Sequence, residues 1–258
     1  MLPAADHLRT CALLAAIVAV EVRTAFRVHG AVGTVTRSFR HARDLLSLRR
    51  GDRHARSVPD GFDRTHGVHT RVAMNLRELY EVKRRGGEEH TPTPAAVLRN
   101  GLSSLDVPFE QTVFVDFGSG AGRALLVAAE LPFKAIVGVE LCDSLHRRAE
   151  ENVAGYRNPA QRCHDIRLHC GDAAEFTLPP DPLVLYFYNP FRDDVMRRVL
   201  ENIERSYREV PRPITIVHLW PRADTRALFE ASAVLTAVEH GPDLTLFRSL
   251  VRPRSRIR

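Results

Sequence analysis

A glycine-rich turn between an apolar strand and a helix constrains this chain more than any other segment. Residues 113–123 read VFVDFGSGAGR, with glycine at every second position from Gly118 to Gly122 and an Ala- and Leu-rich stretch after them. Glycine tolerates positive φ and has no Cβ, so the backbone of such a turn can approach a ligand closely. The helix start that follows offers N–H groups without intrahelical partners. The segment therefore predicts a strand–turn–helix unit that binds a ligand.

The nearest alternative is the dinucleotide-binding pattern G-x-G-x-x-G/A. Gly118 and Gly120 match its first two glycines, but its third position holds Arg123 instead of Gly or Ala. The third glycine comes one residue early, which gives D-x-G-x-G-x-G starting at Asp116. A purely structural role for the glycines stays open, because a single glycine-rich match is a weak signal.

A carboxylate follows the second apolar segment. Residues 135–139 predict a strand that ends in Glu140. A carboxylate at the end of a second strand, about 20 residues beyond such a turn, can accept hydrogen bonds from both hydroxyls of a ribose. Helix capping by Glu140 is the alternative, but Asp143 is already suited to be the N-cap of the next helix. The spacing therefore favours ribose binding.

Two more apolar segments end in polar residues. Residues 165–170 predict a third strand before Asp172 and Ala173, and residues 182–188 predict a fourth strand that runs into Asn189–Pro190–Phe191. An Asp in a loop is usually only solvated, so the interest of Asp172 lies in its position after a strand. Ligands in open α/β sheets bind beyond the carboxyl ends of the strands, and we expect these residues to share one edge of the sheet.

Strands and helices alternate through the rest of the chain. We expect a helix at 193–210, a strand at 214–220, a short helix at 225–231, and strands at 234–239 and 244–251 around a Gly-Pro turn. Alternation of this kind predicts crossover connections and a parallel sheet, and the last two strands predict a hairpin. The fold class is therefore α/β, with a mostly parallel sheet and an antiparallel C-terminal hairpin strand.

Two helices are expected ahead of the sheet. Residues 72–85 predict an amphipathic helix. Pro94 suits the first position of a second helix that runs to about Leu105, with Thr93 as its N-cap.

Residues 1–60 contain no recognisable chemistry and predict a helical, basic N-terminal extension. Their apolar run Cys11–Val20 is shorter than the about 20 residues that a membrane-spanning helix needs, and its flanks do not fit a secretory signal. We expect it to pack on the domain or on a partner, and a helix in the membrane interface is the alternative. Residues 61–258 form the main domain, with 61–105 as a lid or substrate segment and 106–252 as the core sheet.

The net charge of +6 comes almost entirely from Arg. An Arg-rich composition follows from a GC-rich genome as easily as from an anionic partner, so it decides little. The four cysteines have no C-x-x-C spacing and no disulfide framework. We interpret them as small residues in and near a strand, expect no metal, and expect a reducing, cytoplasmic location.

The pattern from Asp116 to Arg123 resembles motif I of class I S-adenosylmethionine (SAM)-dependent methyltransferases. A group of small bacterial class I methyltransferases is most similar, and the resemblance covers roughly residues 61–252. The matching elements are Phe62–Asp63, Gly67, Thr70, Thr93–Pro94, Asp116–Arg123, Gly138–Glu140 and Tyr188–Phe191. His69 stands where the resemblance leads us to expect Asp. Protein-lysine methyltransferases with a class I fold are similar at a greater distance.

The resemblance implies SAM as cofactor and a Rossmann-like sheet with strand order 3-2-1-4-5-7-6. It implies that Asp116 lies near the methionyl amino group, Glu140 near the ribose and Asp172 near the adenine amino group, with the Ala173 N–H at a ring nitrogen. The implied cofactor-binding residues are Asp116, Gly118, Ser119, Gly120, Gly122, Glu140, Leu141, Asp172, Ala173, Asn189 and Thr93.

The resemblance places the catalytic loop, motif IV, at Tyr188, Asn189, Pro190 and Phe191. The Asn189 Oδ1 atom and the Pro190 carbonyl can accept a hydrogen bond from an acceptor N–H, and Tyr188 or Phe191 can pack on a planar or cationic group. This favours N-methylation. The alternative is that Asn189–Pro190 only ends a strand in a turn.

Three functions remain open at this point. The leading hypothesis is methylation of a protein nitrogen, such as that of lysine, and the second is methylation of a small molecule. The third is nucleic-acid binding through the Arg-rich segments 37–56 and 252–258, although no interleaved aromatic platform accompanies them. Asp63, His66 and His69 are additional candidates for acid–base roles.

Overall fold

The computed structural model describes residues 12–13, 15–20, 61–241 and 243–250. The chain divides into two compact units, one made of Met1–Pro59 with Ala73–Glu89 and the other of Asp60–Val72 with His90–Arg258. Of the predicted N-terminal extension, only residues 12–13 and 15–20 are described, and their backbone is helical. The basic segments 37–56 and 252–258 lie outside the described residues.

Seven helices have defined limits within residues 61–241, besides a 3-10 turn at Phe109–Gln111. They are α1 (Phe62–His66), α2 (Leu76–Arg84), α3 (Ala95–Ser103), α4 (Arg123–Ala128), α5 (Asp143–Gly155), α6 (Asp193–Glu209) and α7 (Ala223–Glu230). None of the helices in the described part of the chain is both long enough and apolar enough to cross a bilayer.

The larger unit contains a single seven-stranded sheet. Its strands are β1 (Val113–Phe117), β2 (Ala135–Glu140), β3 (Ile166–Cys170), β4 (Leu183–Phe187), β5 (Ile214–Leu219), β6 (Leu235–His240) and β7 (Leu244–Ser249). Their spatial order is β3-β2-β1-β4-β5-β7-β6. The neighbours from β3 to β5 pair in parallel, and β7 is antiparallel to both β5 and β6. The predicted α/β fold and strand order are confirmed.

The central strand β1 is buried along its whole length. Val113, Val115 and Phe117 pack into one apolar cluster, whereas Phe114 packs into a second. Side chains alternate between the two faces of a strand, so helices must cover both faces of the sheet. This burial explains why β1 reads as a continuous apolar run that is interrupted only by Asp116.

The strand register fixes which residues lie beside Asp116 at the carboxyl end of β1. Asp116 of β1 is aligned with Gly138 of β2 on one side and with Tyr186 of β4 on the other. Because these strands are parallel, the loops after them meet at the same edge. The polar residues that follow the strands are therefore brought together by topology.

Several helix starts differ from the predictions by one to four residues, whereas α6 begins at Asp193 as predicted. The predicted helix 72–85 begins only at Leu76, where Asn75 and Glu78 form a reciprocal capping box. Thr93 was expected to be an N-cap, but Pro94 has extended backbone at ψ 110° and occupies the N-cap position of α3 itself. In the same way Cys142, not Asp143, is the N-cap of α5. At both helices the N-cap is the last residue with extended backbone, although Thr and Asp have the better side chains for capping.

Asn152 on α5 ties the glycine-rich turn to the segment ahead of the sheet. Its side chain is buried, and its Nδ2 donates to the carbonyl of Ala121 at 2.8 Å and to that of His69 at 3.1 Å. Its Oδ1 accepts from the His69 N–H at 2.7 Å. One amide group therefore satisfies three backbone groups on two different loops.

We expect Asn152→Ala to lower the free energy of unfolding by about 2–3 kcal/mol, because it leaves the buried carbonyl of Ala121 and the partly buried N–H and carbonyl of His69 without this partner. Urea unfolding followed by circular dichroism measures the change. The matched control is Glu151→Ala on the same helix. The Glu151 side chain is exposed and pairs only with Arg148, so that change should stay within about 0.5 kcal/mol. Equal midpoints for the two variants would contradict the assignment.

Candidate functional site

The glycine-rich turn joins the carboxyl end of β1 to the first residue of α4. Gly118, Gly120 and Gly122 have φ values of 81°, 54° and 87°. These lie in the left-handed region that side chains with a Cβ rarely adopt. Each of the three glycines is therefore required by the backbone conformation of the turn.

The same glycines are also required by their protein neighbours. A Cβ on Gly118 would lie 2.5 Å from the Cβ of Pro190, one on Gly120 would lie 2.3 Å from Nδ1 of His90, and one on Gly122 would lie 3.2 Å from the Cβ of Ala149. Packing inside the protein accounts for the glycine pattern without a ligand. The argument for a binding site must therefore rest on other groups.

Glu140, the last residue of β2, holds the turn in place. Its Oε2 accepts from the Gly120 N–H at 2.8 Å, and its Oε1 accepts from the Cys142 N–H at 2.8 Å. Burial raises the pKa of Glu140, while hydrogen bonds from the backbone of Cys142, Gly120 and Leu141 oppose the rise. A carboxylate has about four acceptor positions, so Glu140 retains capacity for further donors.

Asp116 is in a different situation. Its side chain is buried beside Gly138 and Tyr186, yet no N–H or O–H donor among the described residues reaches its carboxyl group. Burial raises the pKa of Asp116 well above its ordinary value, and the charge of Glu140 raises it further. An ionised carboxylate without a partner in such a place is costly. Asp116 is therefore a buried acid that lacks a cationic or N–H partner.

Thr93 and Ser119 contact the two strand neighbours of Asp116. The Thr93 hydroxyl forms a hydrogen bond of 3.0 Å with the hydroxyl of Tyr186, the residue aligned with Asp116. Ser119 is buried, and its Oγ would lie 2.9 Å from a Cβ on Gly138. Both predicted residues thus border the same patch of the sheet edge.

The predicted adenine-binding pair follows β3. Asp172 accepts from the Ala174 N–H at 2.9 Å, and its other oxygen pairs with Arg198 of α6 at 3.3 Å. Ala173 is buried, and its N–H has no hydrogen-bond partner in the described part of the chain. Asp172 is therefore a turn-forming residue with partly used oxygens, while the Ala173 N–H is available to a ligand.

A buried ion pair fixes the segment ahead of the sheet. Asp63 accepts from the Thr70 hydroxyl at 2.5 Å and from Arg123 Nη2 at 3.0 Å, and Arg123 Nε donates to the Thr70 hydroxyl at 2.6 Å. Burial alone would raise the pKa of Asp63, but hydrogen bonds from Thr70 and Arg71 and the charge of Arg123 lower it. Asp63 is therefore an ionised anchor for this segment, which does not suit the acid–base role considered from the sequence.

Arg123 and His90 were not assigned a role from the sequence. His90 Nε2 lies 3.0 Å from the carbonyl oxygen of Thr70, which can only accept, so Nε2 carries the hydrogen. Burial lowers the pKa of His90, and the charge of Arg123 adds to this. The neutral ring therefore presents its unprotonated Nδ1 to Gly120. An isolated His in a polar loop gives no sequence signal of such a contact.

The loop after β4 is tied to the loop after β5. Asn189 Nδ2 donates to the carbonyl of Trp220 at 2.7 Å, and its Oδ1 accepts from the Arg222 N–H at 3.3 Å. Phe191 is buried in the core cluster, whereas Tyr188 is half-buried beside Trp220. Of the four residues predicted to meet the acceptor, Phe191 is therefore buried in the core, whereas Tyr188 packs against the second apolar cluster and stays partly exposed. Trp220 was missed by the sequence prediction.

Metal ligation finds no support in the arrangement of side chains. Within residues 61–241 and 243–250, no group of three His, Cys, Asp or Glu side chains is placed to hold a metal ion.

No protein-family model matches the chain, and no curated protein matches it. Solved structures do match. An RNA methyltransferase from Salinibacter ruber in complex with S-adenosyl-L-homocysteine is 22% identical, with a TM-score of 0.38 over 64% of this chain and 97% of that chain. A ribosomal protein L11 methylase from Lactobacillus delbrueckii is 15% identical, with a TM-score of 0.42 over 60% and 75%. A SAM-dependent methyltransferase from Leishmania major is 15% identical, with a TM-score of 0.41 over 60% and 70%.

Replacing each of the two buried carboxyl groups by its amide should change the melting temperature in opposite directions. Because the pKa of Asp116 is raised in the folded state, its favourable contribution exists below the unfolded value and is lost as the pH rises toward the folded value. Asp116→Asn removes the free-energy cost of an unpaired, buried carboxylate, so we expect the variant to be more stable than the wild-type protein at neutral pH. The gain in melting temperature should be a few degrees, and it should shrink as the pH approaches about 4.

Glu140→Gln is the comparison variant. Its amide group would turn an N–H donor toward the backbone N–H groups of Gly120 or Cys142, so we expect a lower melting temperature. Thermal unfolding at several pH values measures both variants. A destabilised Asp116→Asn protein at neutral pH would contradict this account of the Asp116 environment.

Proposed function

We propose that this chain is a SAM-dependent methyltransferase whose donor site lies at the carboxyl ends of β1 and β2. The single observation that carries the proposal is the buried carboxyl group of Asp116, which has no donor in the described part of the chain. The ammonium group of the methionyl part of SAM is the partner that such a carboxylate requires. Its charge would also relieve the repulsion between Asp116 and Glu140.

The remaining residues at this edge fit the other parts of SAM. Glu140 keeps acceptor positions for ribose hydroxyls, Leu141 follows it directly, and the free N–H of Ala173 with the carboxyl of Asp172 suits an adenine edge. The backbone of the turn would line the ligand between them. The residues proposed to hold SAM are Thr93, Asp116, Gly118, Ser119, Gly120, Gly122, Glu140, Leu141, Asp172, Ala173 and Asn189.

Charge separates this proposal from dinucleotide binding. Asp116, Glu140 and Asp172 bring three carboxyl groups to the ends of three neighbouring strands. A pyrophosphate would meet like charge at Asp116 and Glu140, although Arg198 pairs with Asp172, whereas SAM carries two positive charges and one carboxylate. The carboxyl groups therefore favour the sulfonium donor.

The acceptor is proposed to be an amine nitrogen of a protein, as in a lysine side chain. When bound, SAM would supply an electrophilic methyl group. The acceptor ammonium would first lose one proton to water, and attack by the neutral amine would then form the C–N bond, break the C–S bond and release S-adenosylhomocysteine. Within the described residues no donor reaches the carbonyl of Pro190, and Asn189 Oδ1 receives only one long hydrogen bond. Both oxygens can therefore accept N–H bonds and aim the lone pair of an amine.

Pro190 links the acceptor loop to the donor turn. Its ring packs where a Gly118 side chain would otherwise lie. This contact supports a common site for the two substrates, with residues 61–72 of the proposed lid segment held nearby through the ion pair of Asp63 with Arg123.

Isothermal titration with S-adenosylhomocysteine tests the donor site. We expect micromolar binding to the full chain, binding at least about tenfold weaker for Asp116→Asn, and no binding of NAD. Asp165→Asn is the matched control, since Asp165 is an exposed residue before β3 that pairs with Arg167. Failure of the wild-type protein to bind S-adenosylhomocysteine would overturn the proposal. Equal affinity of Asp116→Asn and Asp165→Asn would show that Asp116 does not contact the ligand.

The affinity for S-adenosylhomocysteine should rise with pH. Burial raises the pKa of Asp116 in the free protein, and an ammonium ligand lowers it by favouring the carboxylate, so binding releases a proton in the pH range between the two values. Titrations in buffers of different ionisation enthalpy measure the number of protons released. Asp116→Asn should abolish this release, and a wild-type affinity that is independent of pH would contradict the role of Asp116.

A further inference from the structure

Two residues at the ends of adjacent parallel strands have unusual backbone conformations. Asn189 after β4 has φ 46° and Trp220 after β5 has φ 42°, and they are the non-glycine residues with positive φ in the described part of the chain. This conformation is rare for a bulky side chain such as Trp. Strained residues of this kind persist where surrounding contacts force them, and they cluster at binding and active sites.

Three hydrogen bonds hold Trp220 in this conformation. Its backbone N–H donates to the Asp243 carbonyl at 2.8 Å, its indole Nε1–H donates to Asp243 Oδ1 at 2.9 Å, and its own carbonyl accepts from Asn189 at 2.7 Å. The side chain is nevertheless 38% exposed. Packing in the core therefore does not explain why the indole is fixed so firmly.

Tyr188 completes an aromatic surface with Trp220. The two ring centroids are 5.6 Å apart at an interplanar angle of 64°, which is an edge-to-face arrangement. The Tyr188 hydroxyl forms no hydrogen bond with the described residues. Tyr188 is two residues from Pro190, which packs on Gly118 of the proposed donor turn.

We propose that Trp220 and Tyr188 form the binding surface for the acceptor, and that this surface selects an alkylammonium chain over a flat nucleobase. The inference rests on the proposed methyltransferase function, since it places the acceptor beside the donor turn. It adds Trp220 and Asp243 as residues that determine specificity.

The partners of Trp220 favour a cation. A carboxylate that accepts from the indole N–H increases the electron density of the ring, and a more electron-rich ring face attracts cations more strongly. Asp243 supplies that carboxylate.

The polar groups beside the surface argue against a nucleobase. Reading a base requires free donors and acceptors aimed at its edge. The Asn189 Nδ2 already donates to Trp220, and the remaining capacity of Asn189 Oδ1 and of the Pro190 carbonyl is for accepting only, which suits an ammonium group better than the mixed donors and acceptors of a base edge. A primary ammonium on a flexible chain needs only aromatic faces and a carbonyl oxygen, and both are present.

The chain contains a single tryptophan, so its fluorescence reports directly on this surface. The full chain is titrated into the millimolar range with N-acetyl-lysine methylamide, with and without S-adenosylhomocysteine. The uncharged norleucine analogue and adenosine are titrated separately for comparison. We expect a saturable change for the lysine probe and weak, linear changes for the other two.

Asp243→Asn provides the second arm. Asn keeps a hydrogen-bond acceptor for the indole but removes the negative charge, so the affinity for the lysine probe should fall about two- to fivefold with the tryptophan still in place. Asp165→Asn is again the control and should leave that affinity unchanged.

Three outcomes would overturn the inference. They are a saturable response to adenosine that equals or exceeds the response to the lysine probe, a response to the lysine probe as linear as that of free tryptophan, and unchanged affinity in Asp243→Asn. Binding of S-adenosylhomocysteine is measured separately by calorimetry. A protein that binds this ligand but gives no saturable response to the lysine probe therefore keeps its donor site and loses this acceptor surface.

Discussion

Two buried carboxyl groups at the ends of adjacent parallel strands are the constraint on which the site depends. The Glu140 carboxylate accepts hydrogen bonds from the backbone N–H groups of Gly120 and Cys142, and these bonds offset part of the free-energy cost of burying it. Asp116 has no such donors and is kept close to Glu140 by the pairing of β1 with β2. The fold thus maintains an unfavourable charge arrangement that a cationic ligand would relieve, which is a common trade of stability for function.

The glycine-rich turn is shaped from several sides. Glu140 holds the Gly120 N–H, the His90 ring covers Gly120, and Pro190 covers Gly118. These neighbours come from three separate parts of the chain. Small glycines are needed because the neighbours pack closely, and a side chain at either position would push one of them away. The turn is therefore the place where the loops after β1 and β4 and the His90 ring come into contact.

The segment ahead of the sheet is fixed by polar contacts. The Asp63–Arg123 ion pair, the Thr70 hydroxyl and the Asn152 amide satisfy buried groups on both the segment and the turn. Such buried networks require several partners in correct positions, so they specify one arrangement more strictly than apolar packing does. This explains how a loop with few apolar residues can keep a defined position.

The amino-acid sequence by itself determined the alternation of strands and helices, the glycine-rich turn and the positions of Asp116, Glu140 and Asp172 at or after strand ends, because hydrophobic periodicity and glycine positions are local signals. The order of the strands in the sheet came only from the resemblance to a known family, since pairing between distant strands is not a local signal. It did not determine that Asn189 is engaged, that Phe191 is buried or that Thr93 bonds to Tyr186 instead of capping a helix. His90, Asn152 and Trp220 gained their importance only in the tertiary structure. Their partners are remote in the chain, and hydrogen bonds between distant loops leave no periodic trace in the sequence.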